Sequence, residues 1–234
     1  MRKRNYFSRG FTVIELLVAL SIIGILGSLL FPVLSKAKGR AGRASCFNNL
    51  REINLAVRMY ADDFKDKVAA PPGLYRRIEQ WFRYKELVSP YLGHSALESN
   101  KLFACPADKF FYSASGYHSK GLCEARWTGF SSYIFNGGNL VGTNGYPGIS
   151  GASLAAVSQP SKTVLVCEAA AFTPFSWHQP NQPHSDYRFK DSRNILSFVD
   201  GHIQYLKMYW RGVGEAWQYD PPANYDYNWS GSLP

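Results

Sequence analysis

Acidic residues are nearly missing from the first 43 positions of this 234-residue chain, where Glu15 is the single acid. Charge of either sign is missing altogether from Leu16 to Leu34. The chain contains no His-Glu-x-x-His, no Gly-x-Ser-x-Gly and no paired Cys-x-x-Cys, so none of the short patterns that place a metal, a nucleophile or a redox pair is present. No glycine-rich turn leads from a strand into a helix carrying Lys-Ser or Lys-Thr, which disfavours nucleotide binding. A disordered chain is excluded by a content of 46% hydrophobic and 15% aromatic residues, since disorder needs few aromatics and much charge.

What is there in excess is positive charge, 26 Lys and Arg against 17 Asp and Glu for a net +9. Its placement decides its meaning. The first 43 residues hold eight bases (Arg2, Lys3, Arg4, Arg9, Lys36, Lys38, Arg40, Arg43) beside Glu15, and the other 191 residues hold only two more bases than acids. The surplus therefore brackets the apolar run, as membrane flanks do, and a DNA-binding stripe on the rest is unsupported. Leu16 to Leu34, nineteen residues, would make a helix of about 28 Å against a hydrocarbon core of about 30 Å. A membrane span is expected. A cleaved secretory signal would be shorter and end in small residues, whereas this run ends Pro32-Val33-Leu34-Ser35-Lys36. With four bases on each side, charge alone fixes no orientation.

Glu15 at the edge of the run needs a reason, because a carboxylate at membrane depth costs roughly 2.5 to 3.5 kcal/mol at a helix centre and less near an end. Two readings stand: pairing with the amino terminus of a neighbouring copy cut after Gly10, or snorkelling to the headgroups. Beyond the run, Phe47, Leu50, Ile53, Val57, Tyr60 and Phe64 recur at steps of three or four, an amphipathic stripe that predicts one helix from about Phe11 to Asp63, ended by Val68-Ala69-Ala70-Pro71-Pro72-Gly73. Val164 to Cys167 reads as a buried strand. Asp200-Gly201 between apolar alternations predicts a two-residue type I′ hairpin pairing Phe198 with Ile203 and Leu196 with Tyr205. The glycine-rich stretch 137–151 reads as a loop.

His94, His118, His178, His184 and His202 are scattered and read as surface or satisfied core residues. Cys46, Cys105, Cys123 and Cys167 allow three disulfide pairings, and buried free thiols compete with all of them. No cofactor is expected. Ca²⁺ would suit the oxygens of Asp62, Asp63 and Asp66, but the spacing lacks the glycine and terminal glutamate of an EF-hand, and a solvated acidic helix end accounts for them. Trp177, Trp210, Trp217, Tyr219, Tyr225, Tyr227 and Trp229 crowd the last quarter. They could form a glycan- or single-stranded-DNA-stacking surface, or cover the end of a small sheet.

Arg9-Gly10-Phe11-Thr12-Val13-Ile14-Glu15-Leu16-Leu17-Val18 resembles the type IV prepilin signal, and Pro32 falls where pilins place a helix-kinking proline. The resemblance implies cleavage after Gly10 by a prepilin peptidase, methylation of the new amino-terminal Phe11, and use of Glu15 in assembly. A second resemblance joins Cys46-Phe47-Asn48-Asn49-Leu50, Met59-Tyr60-Ala61-Asp62-Asp63, Phe103-Ala104-Cys105-Pro106-Ala107-Asp108, Ser131-Ser132-Tyr133-Ile134-Phe135-Asn136, Pro160-Ser161-Lys162-Thr163 and Asn194 to Ile203 to pilin-like proteins of planctomycete and verrucomicrobial type. Their processing-associated motif sets a histidine nine residues before an Asp-Gly. Here Lys190 stands at that position, and the motif is degenerate.

The resemblances imply an α+β, pilin-like fold: a long amino-terminal helix, half of it transmembrane, packed on a mainly antiparallel sheet with irregular loops. They divide the chain into a leader (1–10), an assembly helix (11–34), an amphipathic continuation (35–66) and a globular β-rich domain (67–234). The implied function is that of a non-enzymatic subunit of a type IV pilus or a type II secretion pseudopilus. Its partners would be itself, other pilins, prepilin peptidase and the inner membrane, with no nucleic acid, and the carboxyl domain would lie periplasmic or extracellular. The alternative is a membrane-anchored module that binds glycan or single-stranded DNA through its aromatics.

Overall fold

The structure is a computed structural model that describes residues 12–70, 80–93, 101–113, 116–140, 145–179 and 188–231. Two compact units divide the chain, Met1–Ala41 and Gly42–Pro234. Helix α1, Val13–Asp63, runs through both.

In the first unit α1 is the helix that is long and apolar enough to cross a membrane. Its large side chains from Val13 to Leu34 are exposed, so the apolar run is not a core helix of the chain's own fold. The two hydroxyls inside the run turn back on the helix: Ser21 Oγ donates to the Leu17 carbonyl at 2.8 Å and Ser28 Oγ to that of Ile25 at 2.7 Å. Self-bonding of this kind is what an apolar medium demands of polar groups. Pro32 lies inside the helix, where its ring nitrogen has no proton to give the carbonyl four residues earlier.

In the second unit the periodic stripe becomes a packing face. Cys46, Leu50, Ile53 and Val57 are fully buried, and covering each of the three aliphatics is worth about 1.5 to 3 kcal/mol. Phe47 and Tyr60 are half-buried against the core. Phe64 departs from the expected stripe: it lies past the helix end, 52% exposed, stacked on Tyr60 with ring centroids 4.3 Å apart. The helix ends at Asp63, where the stripe predicts, but the stop is made locally, ahead of the proline segment. Lys65 and Asp66 take left-handed φ values of 56° and 61°, and the Asp66 N–H closes on the Ala61 carbonyl at 2.8 Å. The Asp66 carboxylate then accepts from the Ser153 hydroxyl and, at 2.8 Å, from the Ala155 N–H. The expected stop at Pro71-Pro72-Gly73 falls outside the described residues.

Strands β1 (Phe111–Ser113) and β2 (Gly116–His118) form a small antiparallel ribbon. The main sheet holds β3 (Tyr133–Phe135), β4 (Val164–Glu168), β5 (Ser192–Phe198) and β6 (Ile203–Met208) in that order, every neighbour antiparallel. All of β4 is buried, as is β5 apart from Arg193, so both faces of the sheet centre are covered. Helix α2, Gln80–Val88, contributes buried Trp81, Phe82, Tyr84 and Val88 to the same core.

The β5–β6 hairpin forms where Asp-Gly predicts it, but one register step away. The observed pairs are Ser197 with Ile203, Leu196 with Gln204 and Ile195 with Tyr205. The turn is a three-residue loop: Phe198 and His202 pair at 3.0 Å, Gly201 N–H donates to the Phe198 carbonyl at 2.9 Å, and Gly201 has φ 97° while Asp200 keeps a negative φ. This is the type I turn followed by a left-handed residue. The cause lies outside the hairpin. The Val199 N–H is taken by the Thr163 carbonyl at 3.0 Å and the Asp200 N–H by that of Pro160 at 3.2 Å, so Val199 cannot serve as the last rung.

Candidate functional site

Of the residues singled out at the amino terminus, Gly10 and Phe11 lie outside the described residues. Glu15 sits in the first turn of α1, and Thr12, directly before the helix, supplies it with partners. The Glu15 carboxylate accepts from the Thr12 N–H at 2.9 Å and from the Thr12 hydroxyl at 2.8 Å, while the Thr12 hydroxyl accepts from the Glu15 N–H at 3.2 Å. This reciprocal arrangement is a capping box. It answers part of the question that an acid at the head of an apolar helix raises, and by a route inside the chain. The signal is readable in sequence as Thr-x-x-Glu ahead of an apolar run, a partner within the chain beside the neighbouring copy and the headgroups considered above.

The second cluster lies where α1 meets the sheet, within the second unit. Cys46 on α1 and Cys105 form a disulfide with Cα atoms 5.4 Å apart. Against it lie Glu168, at the end of β4, and His178. His178 Nε2 is 2.7 Å from Glu168 Oε1, and Cys105 Sγ is 3.5 Å from that oxygen and 3.8 Å from that nitrogen. The other Glu168 oxygen accepts from the Ile195 N–H at 2.9 Å. Glu168 is fully buried and the His178 side chain only 3% exposed. Neither residue was distinguished by the sequence: each is a lone residue in its segment, and only the fold makes them neighbours.

Beside this cluster Asp108 is buried. Its carboxylate accepts from the N–H groups of Leu122 (3.0 Å) and Cys123 (2.8 Å) and from the Ser132 hydroxyl (2.7 Å), while the Ser132 oxygen accepts from the Cys105 N–H at 2.9 Å. Burial raises the Asp108 pKa and these hydrogen bonds oppose it. Gly121 is required here, because a Cβ on it would stand 2.3 Å from the Asp108 carbonyl oxygen. Cys123 and Cys167 are free thiols. Burial, with the Asp108 charge, pushes Cys123 up to about 11, and burial pushes Cys167 well up, which leaves both as poor nucleophiles at neutral pH.

The Asp-Gly turn docks on α1. Asn54 Nδ2 donates to the Phe198 carbonyl at 2.8 Å and Arg58 Nη1 to the Asp200 carbonyl at 3.1 Å. A Cβ at Gly201 would stand 2.7 Å from Arg58 Nη1. His202 stacks on Phe198 at 4.2 Å and bonds Asp200 through Nδ1 at 2.6 Å, a structural use of all three turn residues. Lys190 is exposed at the turn before β5. His118 stacks on Phe111 at 4.2 Å; His94 and His184 lie outside the described residues. Of the three acids weighed for Ca²⁺, Asp63 accepts from the Tyr91 hydroxyl at 2.8 Å and Asp66 is occupied as given above.

The carboxyl-terminal aromatics divide. Trp177, Trp217, Tyr227 and Trp229 are buried, whereas Trp210, Tyr219 and Tyr225 are half-buried. Trp229 packs its ring against Phe172 at 5.1 Å and Tyr227 at 5.4 Å, and Trp217 lies 4.5 Å from Trp81. These rings close the core rather than offering faces to a ligand.

Residues 7–31 match the family described as the prokaryotic N-terminal methylation motif. The match spans the Gly10-Phe11 junction, Glu15 and most of the apolar run, and with the long apolar helix it marks the amino-terminal segment as that of a type IV pilin-like protein. No curated protein and no solved structure matches the chain.

Proposed function

We propose that the chain is a structural subunit of a pilus or pseudopilus filament, in a type IV pilus or a type II secretion system. It is cleaved after Gly10 and methylated at Phe11 by a prepilin peptidase. The observation that carries this reading is the methylation motif at residues 7–31, placed at the head of a 51-residue helix that carries no charged side chain from Leu16 to Leu34. The segment is held in the inner membrane as a single span, with the carboxyl domain on the periplasmic or extracellular side. Once cut, the apolar helix leaves the bilayer and packs with other copies and related subunits. Glu15 then exchanges bonds with the new amine of a neighbour, and Pro32 locally loosens the backbone ladder. The competing reading, a glycan- or DNA-binding module, is disfavoured because the four most deeply placed carboxyl-terminal aromatics are spent on the core.

Mass spectrometry of the amino terminus of chain isolated from membranes tests the proposal. A chain beginning at N-methylated Phe11 is expected; an intact Met1, or a cut beyond Leu34, overturns it. Assembly is tested separately by Glu15→Val, which is expected to be processed normally yet to be depleted from filaments.

A further inference from the structure

Four donor atoms converge at the junction of α1 with the sheet: the sulfurs of Cys46 and Cys105, a carboxylate oxygen of Glu168 and a ring nitrogen of His178, all within 4.8 Å of one another. We infer that in the reduced chain these four residues form a tetrahedral zinc-class metal site, and that the Cys46–Cys105 disulfide and the metal are alternative occupants of one place.

The donor set selects the ion. Two thiolates with one imidazole and one carboxylate suit Zn²⁺, which takes four such ligands at about 2.3 Å from sulfur and about 2.0 to 2.2 Å from nitrogen or oxygen. In a tetrahedron with those legs the sulfur-to-nitrogen and sulfur-to-oxygen edges are about 3.5 Å. The distances from Cys105 Sγ are 3.5 Å to Glu168 Oε1 and 3.8 Å to His178 Nε2, so this sulfur already stands at ligand spacing from both. The sulfurs of an opened disulfide need only separate to about 3.8 Å, within reach of side-chain rotation. The Nε2–Oε1 contact of 2.7 Å must open to about 3.3 Å to take a metal between the two ligands.

The surroundings support a built site. The second Glu168 oxygen is held by the Ile195 N–H, which fixes the carboxylate to present Oε1 alone. The His178 ring meets Tyr205 edge-on at 6.2 Å, and the backbone N–H of His178 donates to Ser176 Oγ at 3.1 Å, which anchors the segment that carries the ring. Outer contacts of this sort orient metal ligands. The disulfide, by contrast, leaves a buried carboxylate oxygen facing a sulfur that has no proton to offer. Chemically, a dithiol reductant breaks the S–S bond, supplies two electrons and two protons, and is itself oxidised to a disulfide. Zn²⁺ then displaces the two thiol protons to solvent, and His178 binds through Nε2 as neutral imidazole with its proton on Nδ1. Oxidation by a disulfide donor reverses the step and expels the ion. A chain folded before oxidation would thus be stapled at this junction by metal, and one exposed to an oxidising compartment by the covalent bond.

The test uses the full chain in detergent, prepared fully oxidised or reduced under argon, and dialysed against Zn²⁺ or Co²⁺. About one zinc per reduced chain and none on the oxidised chain is expected, with a thiolate-to-cobalt charge-transfer band and intense visible bands of tetrahedral Co²⁺. His178→Ala and Glu168→Gln should weaken retention at least about tenfold, and Cys123→Ser with Cys167→Ser should leave it unchanged. If the reduced chain unfolds without metal, recovery of its circular dichroism by one equivalent of zinc supports the site, and failure to recover overturns it. A folded reduced chain that takes up no zinc, or that gives cobalt bands which survive Cys46→Ser, also overturns it.

Discussion

Asp108 is the residue at which burial and hydrogen bonding are most evenly opposed. Three donors converge on its carboxylate, two of them backbone. Asp108→Asn keeps the shape but turns one acceptor into a donor, leaving two buried donors unmatched. A loss of about 2 to 4 kcal/mol is expected, read from the urea midpoint of the detergent-solubilised chain. Asp66 behaves oppositely. The Ser153 hydroxyl first and the Ala155 N–H second hold its carboxyl below the ordinary 3.8. A depressed folded pKa means stability that is complete above 3.8 and is lost as pH falls through the lower folded value. Asp66→Asn should therefore melt lower than wild type at pH 7 and lose less on acidification, and equal acid slopes in thermal melts would refute that role. Among single residues the sequence disclosed Glu15 because a lone acid in an apolar run is conspicuous, and Asp200-Gly201 because few turns tolerate anything else. Glu168, His178 and Asp108 were illegible, since their meaning comes from partners 10 to 73 residues away.

Among the elements, α1 was legible over nearly its whole length, because period, apolar run and stripe agree along it. Its end at Asp63 was legible too, but not the means of stopping, which is made by the non-glycine left-handed residues Lys65 and Asp66, with the Asp66 carboxylate held by a distant loop. The β5–β6 hairpin teaches the same lesson: the turn was foreseen and its register missed by one, because the 160–163 segment takes the N–H groups that a two-residue loop would use. Gly201→Ala places a side chain at φ 97° and should cost about 1 to 2 kcal/mol. Arg58 can yield at its flexible tip, so adding Arg58→Ala should relieve little of that loss, a point a double-mutant cycle on the unfolding midpoint decides. At the other end of α1, Thr12→Val removes one donor to Glu15 and the acceptor for its N–H. It should loosen the first turn by about 1 kcal/mol, seen as faster amide exchange from Val13 to Leu16 in micelles.

For the whole molecule, the balance of charge separated a basic, apolar amino-terminal segment from a nearly neutral body, and the structure likewise resolves two units, meeting at Ala41 and Gly42. A chain starting at Gly42 keeps every buried residue of α1. It should stay in solution without detergent and melt cooperatively with an intact near-ultraviolet aromatic spectrum; a broad, non-cooperative melt would show that the core depends on the removed segment. The α+β layout was implied by the resemblance and the central buried strand was readable from its apolar run, whereas the placement of the aromatics needed the fold, since a tryptophan reads the same in sequence whether it seals a core or stacks on a ligand. One feature of the helix head bears on filament growth. Because Thr12 already satisfies the Glu15 carboxylate at home, in the filament we propose an incoming neighbour would not rescue a stranded charge but compete with a resident ligand. Joining would then be an exchange whose sign depends on how the newcomer's amine compares with two local hydrogen bonds. An addition step so finely poised can run backwards, which would let the same contact serve growth and disassembly alike.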